Sequence, residues 1–315
     1  MANLNTTDEK IDISQTLIEK LKAEKDAAAE YQERKHGDWD DNYELYRNKI
    51  KTNRLTQRQA IGIPLMKETV KTLLSKIDDL PKIDWKEKGG DEDKEIIYQE
   101  VYDAGTRENK YELKDVMDKK NVLIYGIGTT KFNIEGEAGV GFDVLDPYDV
   151  TFDPYMLPGQ VETARFIIHQ NIFRPIREIL ADEKYTDEGK EKLKIWSEST
   201  AGVTQSAHNR EQFQKKIERL KAMGLTDSDF KLFAGGDRVI NLTEHFYTLW
   251  NERKGDWERR VAVYAEDEVI LLDETLKNLI GVDFWPFVNW VEDPETTDVY
   301  SDSVADLVRN PNKII

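Results

Sequence analysis

Residues 121–153 read NVLIYGIGTTKFNIEGEAGVGFDVLDPYDVTFD, and the periodicity of the chain changes within this stretch. Apolar residues recur at helical spacing at its start, and Gly126 and Gly128 close that helix before a strand pattern begins. Two apolar-patterned runs follow, separated by a glycine-rich turn at 135–141, and a second turn comes at Asp146-Pro147-Tyr148. The stretch therefore predicts a small β-unit inserted after a helical segment.

The chain before this β-unit has helical periodicity, so we expect its first 125 residues to be mostly α-helical. Two apolar stripes lie on either side of a predicted break near Gly37, and their aromatic residues are interpreted as core. The stripes comprise Leu17, Leu21, Ala28 and Tyr31, then Trp39, Tyr43, Tyr46 and Ile50.

Three shorter amphipathic helices are predicted next. Pro64 suits a first helical turn, and the helix that it opens is expected to bury its apolar face. The apolar positions are Met66, Val70, Leu73, Leu74 and Ile77, then Ile97, Val101 and Ala104, then Leu113, Val116, Met117 and Leu123.

The chain after the β-unit is predicted to hold further strands. A strand is expected over 163–173, followed by a weakly patterned and mobile stretch over 186–210 and a helical insertion. Strands resume at 239 and form an antiparallel meander to 272 that packs its apolar side against helices, which makes the fold class α+β. The insertion rests on Phe213, Ile217 and Leu220, and one side of the first meander strand on Ile240, Leu242, Phe246 and Trp250.

Composition limits the classes of function. The 315 residues include 62 acidic and 45 basic ones, a formal net charge of −17, which argues against a protein that grips nucleic acid over its whole surface. An acidic conduit through which DNA slides stays compatible with that charge. The absence of cysteine excludes disulfides and thiolate catalysis and favours a reducing compartment. No stretch approaches the roughly 20 apolar residues that a membrane span needs.

Signatures of catalysis or metal binding are weak, so we expect no enzyme and no cofactor. The run 126–131, GIGTTK, lacks the second spaced glycine of a phosphate-binding loop and leads into a strand pattern. The histidines have no metal-ligand spacing and are expected to be isolated surface or packed side chains. The one concentrated set of carboxylates favours turn chemistry over metal binding or acid–base catalysis. These residues are His36, His169, His208 and His245, and Asp143, Asp146, Asp149 and Asp153.

Two charged sets lie far apart in the sequence. The basic set reads as a solvated face or as a surface that meets an acidic neighbour, and the acidic set as a solvated loop or as the partner of the basic set on an adjacent copy. The candidate interface residues are Arg47, Lys49, Lys51, Arg54 and Arg58, and Glu292, Asp293, Glu295, Asp298, Asp302 and Asp306.

The order of several short motifs resembles the portal proteins of tailed double-stranded DNA phages, over roughly residues 39–315. The motifs are WDDNYELY at 39–46, IPL at 63–65 with PKI at 81–83, the stretch at 121–131, FDVLDPYDVTFD at 142–153, TEHFY at 243–247, PF at 286–287 and SVADL at 303–307. The positions that carry the likeness are Trp39, Tyr43, Pro64, Tyr125, Gly126, an exposed Lys131, Asp146, Pro147, Tyr148, Pro286, Phe287 and Ser303.

The resemblance implies a structural subunit of a homo-oligomeric ring, usually of twelve copies, at one capsid vertex. DNA would pass through the ring without sequence-specific contacts, and the implied partners are the terminase large subunit, the capsid or scaffold and the tail adaptor. The protein would be assembled in the host cytoplasm and reside in the virion. In this family a stem and a clip would follow the last residues, so the resemblance implies a chain that stops before them.

The resemblance also implies a division of the chain. N-terminal helices occupy 1–60, a wing region with helices and β-unit occupies 61–290, and 291–315 approach the stem. Two other interpretations stay open. One is a different head–tail connector or adaptor, and the other is a hydrolase that uses carboxylates of the 143–153 set.

Overall fold

The computed structural model describes residues 6–48, 65–77, 86, 92–135, 139–199, 239–295 and 298–312. Pro64 and the predicted helix at 213–220 lie outside these residues. The chain contains helices and antiparallel sheets, so the α+β prediction is confirmed. It forms two compact units that alternate along the sequence. Unit 1 comprises Met1–Glu30, Asp149–Asp153 and Arg165–Phe284, and unit 2 comprises Tyr31–Tyr148, Pro154–Ala164 and Trp285–Ile315.

The helices and strands have the following bounds. The helices are α1 (Thr6–Tyr46), α2 (Leu65–Ile77), α3 (Glu92–Glu108), α4 (Tyr111–Tyr125), α5 (Ile176–Ala181), α6 (Asp187–Ser199), α7 (Leu276–Ile280) and α8 (Val304–Asn312). The strands are β1 (Ile127–Glu135), β2 (Gly139–Leu145), β3 (Val150–Phe152), β4 (Phe166–Pro175), β5 (Val239–Asn251), β6 (Asp256–Ala265), β7 (Val269–Thr275) and β8 (Phe287–Val291). No helix among the described residues is apolar enough over a sufficient length to cross a membrane.

Helix α1 is continuous, so the predicted break near Gly37 is wrong. Its buried positions recur at spacings of three, four or seven residues, and polar residues alternate with apolar ones among them. They are Leu21, Lys25, Ala28, Gln32, Trp39 and Asn42. One glycine costs a helix only about 1 kcal/mol relative to alanine, and burial of a stripe on both sides of it outweighs that cost.

Unit 1 is built on an antiparallel sheet in the order β3-β4-β5-β6-β7. The last three strands form the predicted meander. The part of α1 in this unit packs on one face, where Leu21 and Ala28 join a core with Tyr247 and Ala262. Both faces of β5 are buried over 240–247, so the prediction of one apolar side is too simple, and Trp250 is exposed.

The opposite face of this sheet is covered by α5 and α6. Lys184, between these helices, contacts Glu244 of β5. The adjacent residues Thr243 and His245 contact Lys25 and Glu24 of α1. Because side chains alternate along a strand, Glu244 lies on the face opposite α1. Residues 187–199, within the stretch predicted to be weakly patterned and mobile, form the helix α6, and residues 200–210 of that stretch lie outside the described residues. Gly189 lets α6 approach β7, since a Cβ there would lie 2.8 Å from the carbonyl oxygen of Ile270.

Unit 2 contains an antiparallel sheet in the order β2-β1-β8, with α4 packed against it and α2 and α3 in contact with α4. The predicted β-unit is confirmed by the β1–β2 hairpin and by the short 3-10 turn at Pro147–Asp149. Its core is aromatic: the Trp39 ring lies edge-on to Tyr125, Tyr148 and Tyr300, with centroid distances of 6.1, 5.1 and 5.6 Å. The core prediction for the aromatic residues of α1 is confirmed for Trp39, while Tyr31, Tyr43 and Tyr46 are half-buried and Ile50 lies outside the described residues.

Candidate functional site

Two carboxylates of the 143–153 set lie in unit 2 and have local partners. The Oδ1 of Asp146 accepts a hydrogen bond of 3.0 Å from the backbone N–H of Tyr148, which confirms the predicted turn role. Asp143 lies within strand β2, 3.6 Å from the Lys114 ammonium, so the turn interpretation is wrong for this residue.

The other two carboxylates lie in unit 1. Asp149 accepts a hydrogen bond of 3.0 Å from the Asn171 amide. Asp153 is fully buried and receives three hydrogen bonds from Arg165, one from its backbone N–H at 3.0 Å and two from its guanidinium at 2.7 and 3.0 Å. Asp153 thus ties the end of β3 to the start of β4, which is more than a turn contact. Within the part of the chain that the structure describes, no group of three acidic or histidine side chains is arranged to hold a metal ion.

These contacts separate a structural role from a catalytic one. We expect Asp153→Asn to lower the free energy of unfolding by about 2 kcal/mol, because charge-assisted hydrogen bonds are worth about 1.5–3 kcal/mol. Asp146→Asn should change it by less than about 0.5 kcal/mol, since asparagine forms the same turn. Urea unfolding of both variants tests this. A stable Asp146→Asn variant that had lost a hydrolytic activity of the wild-type protein would favour the hydrolase interpretation instead.

Three of the histidines are packed side chains, as predicted, and His208 lies outside the described residues. The His36 ring lies 5.6 Å from the Trp39 ring. His169 contacts Glu244 at 3.3 Å, and His245 contacts Glu24 of α1 at 3.1 Å. Burial lowers the pKa of His245, and the contact with the Glu24 carboxylate opposes this shift.

Gly126 closes a helix, as predicted, whereas Gly128 lies within strand β1, so the prediction that it also closes the helix is wrong. Gly126 ends α4 with a φ of 79° and is followed by β1. Its carbonyl accepts a hydrogen bond of 2.6 Å from the Ser301 hydroxyl, and a Cβ on it would lie 2.2 Å from the Ser301 carbonyl oxygen. A Cβ on Gly128 would lie 2.6 Å from Asp118. Glycine is therefore required at both positions by close approach.

Several positions that carry the family resemblance meet in unit 2. Trp39, Tyr125 and Tyr148 share the aromatic core, and the Tyr43 ring stacks on Tyr125 at 6.5 Å. The Pro286 carbonyl accepts a backbone hydrogen bond from Phe132 in β1, just before Phe287 begins β8. Lys131 is buried in the central strand of the β2-β1-β8 sheet, so the prediction that it is exposed is wrong.

Half of the acidic set contacts its own chain. Asp306 accepts hydrogen bonds from the Ser303 backbone N–H at 2.9 Å and from the Asn42 amide at 3.0 Å, while the Ser303 hydroxyl accepts one from the Asp306 backbone N–H. This reciprocal pair is a capping box that begins α8. Asp298 and Asp302 lie 3.8 and 3.2 Å from the Lys35 ammonium of α1.

The other half of the acidic set stays exposed. Glu292, Asp293 and Glu295 form no ion pair with any described residue. Of the basic set only Arg47 is described, at the end of α1, while Lys49, Lys51, Arg54 and Arg58 fall outside the described ranges. The predicted pairing of the two sets between copies therefore stays a prediction.

The apolar positions that the periodicity marked on α3 and α4 include side chains that are exposed in the structure. Ile97 and Val101, one turn apart on α3, are 56% and 65% exposed, and Leu113 and Met117 are similarly exposed on α4. Helical spacing marks such a face but not what covers it. Ile96 and Tyr98 add to the exposed apolar surface of α3.

The two comparisons of this chain with known proteins, a scan against protein-family models and a search of curated proteins, found no match.

Proposed function

We propose that this chain is a structural subunit of a viral portal ring through which DNA enters and leaves the capsid. The ordered motifs carry the family resemblance, and three of their aromatic residues meet in one core of unit 2. The contacts of Asp146, Asp149 and Asp153 with neighbouring turns and strands are those of structural carboxylates, which supports the proposal. A ring subunit of this kind needs two complementary surfaces and no catalytic centre of its own.

The observation that carries the proposal is the exposed apolar face of α3 in unit 2, together with the opposite charge of α2. Helix α3 has an excess of acidic residues, while α2 has an excess of lysine and exposes Leu65 and Ile77 at its two ends. Different surfaces with opposite charge suit the head-to-tail contact that closes a ring. We therefore assign the α3 face of one copy to a contact with α2 of the next.

The α3 face gives the direct test. We expect the double variant Ile97→Glu and Val101→Glu to weaken self-association by at least about tenfold, because it places charge in an apolar contact that excludes water. Sedimentation velocity over a range of protein and salt concentrations measures this. Higher salt should also weaken association of the wild-type chain, since exposed ion pairs are screened.

Leu307→Glu provides a matched control, because Leu307 is as exposed as Val101 but lies on α8. It should leave self-association unchanged. A wild-type chain that stays monomeric at every concentration would remove the ring proposal for this polypeptide. Association that is indifferent to the α3 variant would place the contact elsewhere.

A further inference from the structure

The first part of α1 contacts the sheet of unit 1 through its side chains. In unit 1 the chain leaves after Glu30 and returns at Asp149, so no loop within this unit joins the helix to the sheet. Among the described residues, no backbone hydrogen bond runs from 16–30 to a strand. We call residues 16–30 the latch helix, because such a segment can detach while the strands of the sheet stay paired with one another.

Apolar side chains make one part of this contact. Leu21 and Ala28 of the latch helix are buried with Tyr247 of β5 and Ala262 of β6, and Leu17 packs against the same cluster. Burial of apolar surface favours the attached helix at every pH. A dependence on pH must therefore come from the polar contacts.

Two neighbouring residues of the latch helix make polar contacts with the sheet. The Lys25 ammonium lies 2.6 Å from an Asp267 carboxylate oxygen and 3.4 Å from the Thr243 hydroxyl. A Glu24 carboxylate oxygen lies 3.1 Å from the Nε2 of His245. The strength of such contacts depends on the charge of both partners, and histidine is the side chain whose charge ordinarily changes between pH 5 and pH 8.

The imidazole of His245 is fully enclosed beneath the latch helix. A carboxylate can only accept a hydrogen bond, so the Nε2 that contacts Glu24 carries the hydrogen, and Nδ1 is the nitrogen that takes up a proton. This Nδ1 is buried and has no hydrogen-bond partner among the residues that the structure describes. Protonation in the attached state would therefore bury an N–H group without an acceptor, which is destabilising.

The charged groups of the latch helix act on His245 in opposite directions. Burial has the largest effect and lowers the pKa of this imidazole, and the ammonium groups of Lys25 and Lys20 also lower it. The Glu24 carboxylate raises the pKa, but the net change is a decrease. The attached latch helix thus disfavours the protonated form.

The strands beneath the latch helix contribute neutral rings. Tyr247 and Tyr264 have ring centroids 6.0 and 6.4 Å from that of the imidazole, and burial raises the pKa of both phenols. The Phe166 ring of β4 lies 5.8 Å away. Asp267, in the turn after β6, is paired with Lys25. Burial and the charges of the latch helix therefore decide the protonation of the imidazole.

We propose that the latch helix is a pH-dependent switch, which leaves the sheet in mildly acidic solution when His245 takes up a proton. In the detached state the imidazole is solvated, and its pKa returns to the ordinary value of about 6.5. The detached state therefore binds the proton more readily, so the attached state is favoured above about pH 6.5 and loses this advantage as the pH falls. Release uncovers the apolar face around Phe166 and Tyr247. The switch goes beyond the proposed function and does not rest on it.

Hydrogen exchange of the backbone amides of residues 16–30 tests the switch. Protection factors are compared, since they remove the intrinsic pH dependence of exchange. From pH 7.5 to pH 5 the protection of the latch helix should fall at least about fivefold in the wild-type chain, and that of β5 clearly less. Protection of the latch helix that is independent of pH would overturn the inference, as would an equal fall in β5, which indicates unfolding of the whole unit.

His245→Gln identifies the group that takes up the proton. Glutamine keeps an N–H donor for Glu24 but does not titrate, so this variant should lose the pH dependence of latch-helix protection. His169→Gln is the matched control, because His169 also contacts a glutamate, Glu244, on the opposite face of the sheet, and this variant should keep the dependence. A His245→Gln variant with the wild-type dependence would assign the proton to another group and overturn the inference.

A titration of the wild-type chain keeps the test independent of how the variants fold. The ring protons of His245, followed by NMR, should titrate with a midpoint below about 6.5, the value of a solvated histidine. A midpoint at or above that value would mean that the attached state holds the proton at least as well as the detached one. Acid would then fail to release the latch helix, and the inference would be wrong.

Discussion

Trp39→Ala is expected to lower the free energy of unfolding by about 3–5 kcal/mol, the range for truncating a large buried aromatic side chain. Trp39 is 1% exposed and contacts three tyrosine rings, those of Tyr125, Tyr148 and Tyr300. These residues come from four separate parts of the sequence, so alanine leaves a cavity that no single element can close. Edge-to-face aromatic contacts are lost together with the buried area.

Urea unfolding followed by circular dichroism measures this loss. Trp39→Phe is the matched variant, since it keeps an aromatic ring in the same place and should cost clearly less than alanine. Tyr155→Ala, an exposed aromatic, should change stability by less than about 0.5 kcal/mol. If Trp39→Ala cost no more than Tyr155→Ala, the aromatic core would not be the stabilising centre of unit 2.

The order of helices and strands could be predicted where local sequence signals mark the end of one element and the start of the next. Gly126 ends a helix in the left-handed conformation, and Asp146 bonds to the second residue after it, so both signals are local. The meander was predictable because its strands are adjacent in sequence and separated by short turns. Such features need only neighbouring residues.

The errors arose where distant contacts decide the outcome. The periodicity did not mark Lys25, which continues the buried stripe of α1 and pairs with Asp267 at 2.6 Å, a partner 242 positions away. Lys131, which the resemblance implied to be exposed, is buried in β1, the strand between β2 and β8, and strand order is not visible in the periodicity. Neither the pairing nor the order can be read from a local pattern.

The candidate interface was predictable only in part, for the same reason. The sequence marked the acidic set, but the contacts of Asp298, Asp302 and Asp306 within the chain separate them from the three acids that stay exposed. Alternation assigned Trp250 to the apolar side of its strand and gave no prediction for Trp257, and both side chains are exposed. Which end of a sheet face stays exposed depends on where the helices pack, and a local sequence pattern does not show this.

Asp118 is a buried carboxyl on α4 that should make unit 2 sensitive to pH. It lies against β1, where the Thr130 hydroxyl donates a hydrogen bond of 3.1 Å to its Oδ2. Burial raises the pKa of Asp118 from 3.8 to about 6, the nearby Asp115 adds to the rise, and the Thr130 hydrogen bond opposes it. The folded chain therefore holds this proton over a pH range in which the unfolded chain has lost it.

The sign follows from this difference in bound protons. A raised pKa in the folded state makes the contribution of Asp118 to stability fall as pH rises from about 4 to about 6, and leaves it constant above that range. A rise of about two pKa units corresponds to about 3 kcal/mol. Asp118→Asn should remove this loss, since asparagine is neutral and still accepts from Thr130. We expect the free energy of unfolding of the variant at pH 8 to exceed that of the wild type by about 1–3 kcal/mol.

Urea unfolding at pH 4, 5, 6 and 8 tests this expectation through the difference between the variant and the wild type, which cancels the other titrating groups. That difference should grow from pH 4 to pH 6 and then level off. Asp143→Asn is the matched control, because Asp143 is an exposed carboxyl of the same unit and should give a smaller difference without this trend. A difference for Asp118→Asn that is equal at all four pH values would show that the buried carboxyl is already ionised without cost, and that its pKa is not raised.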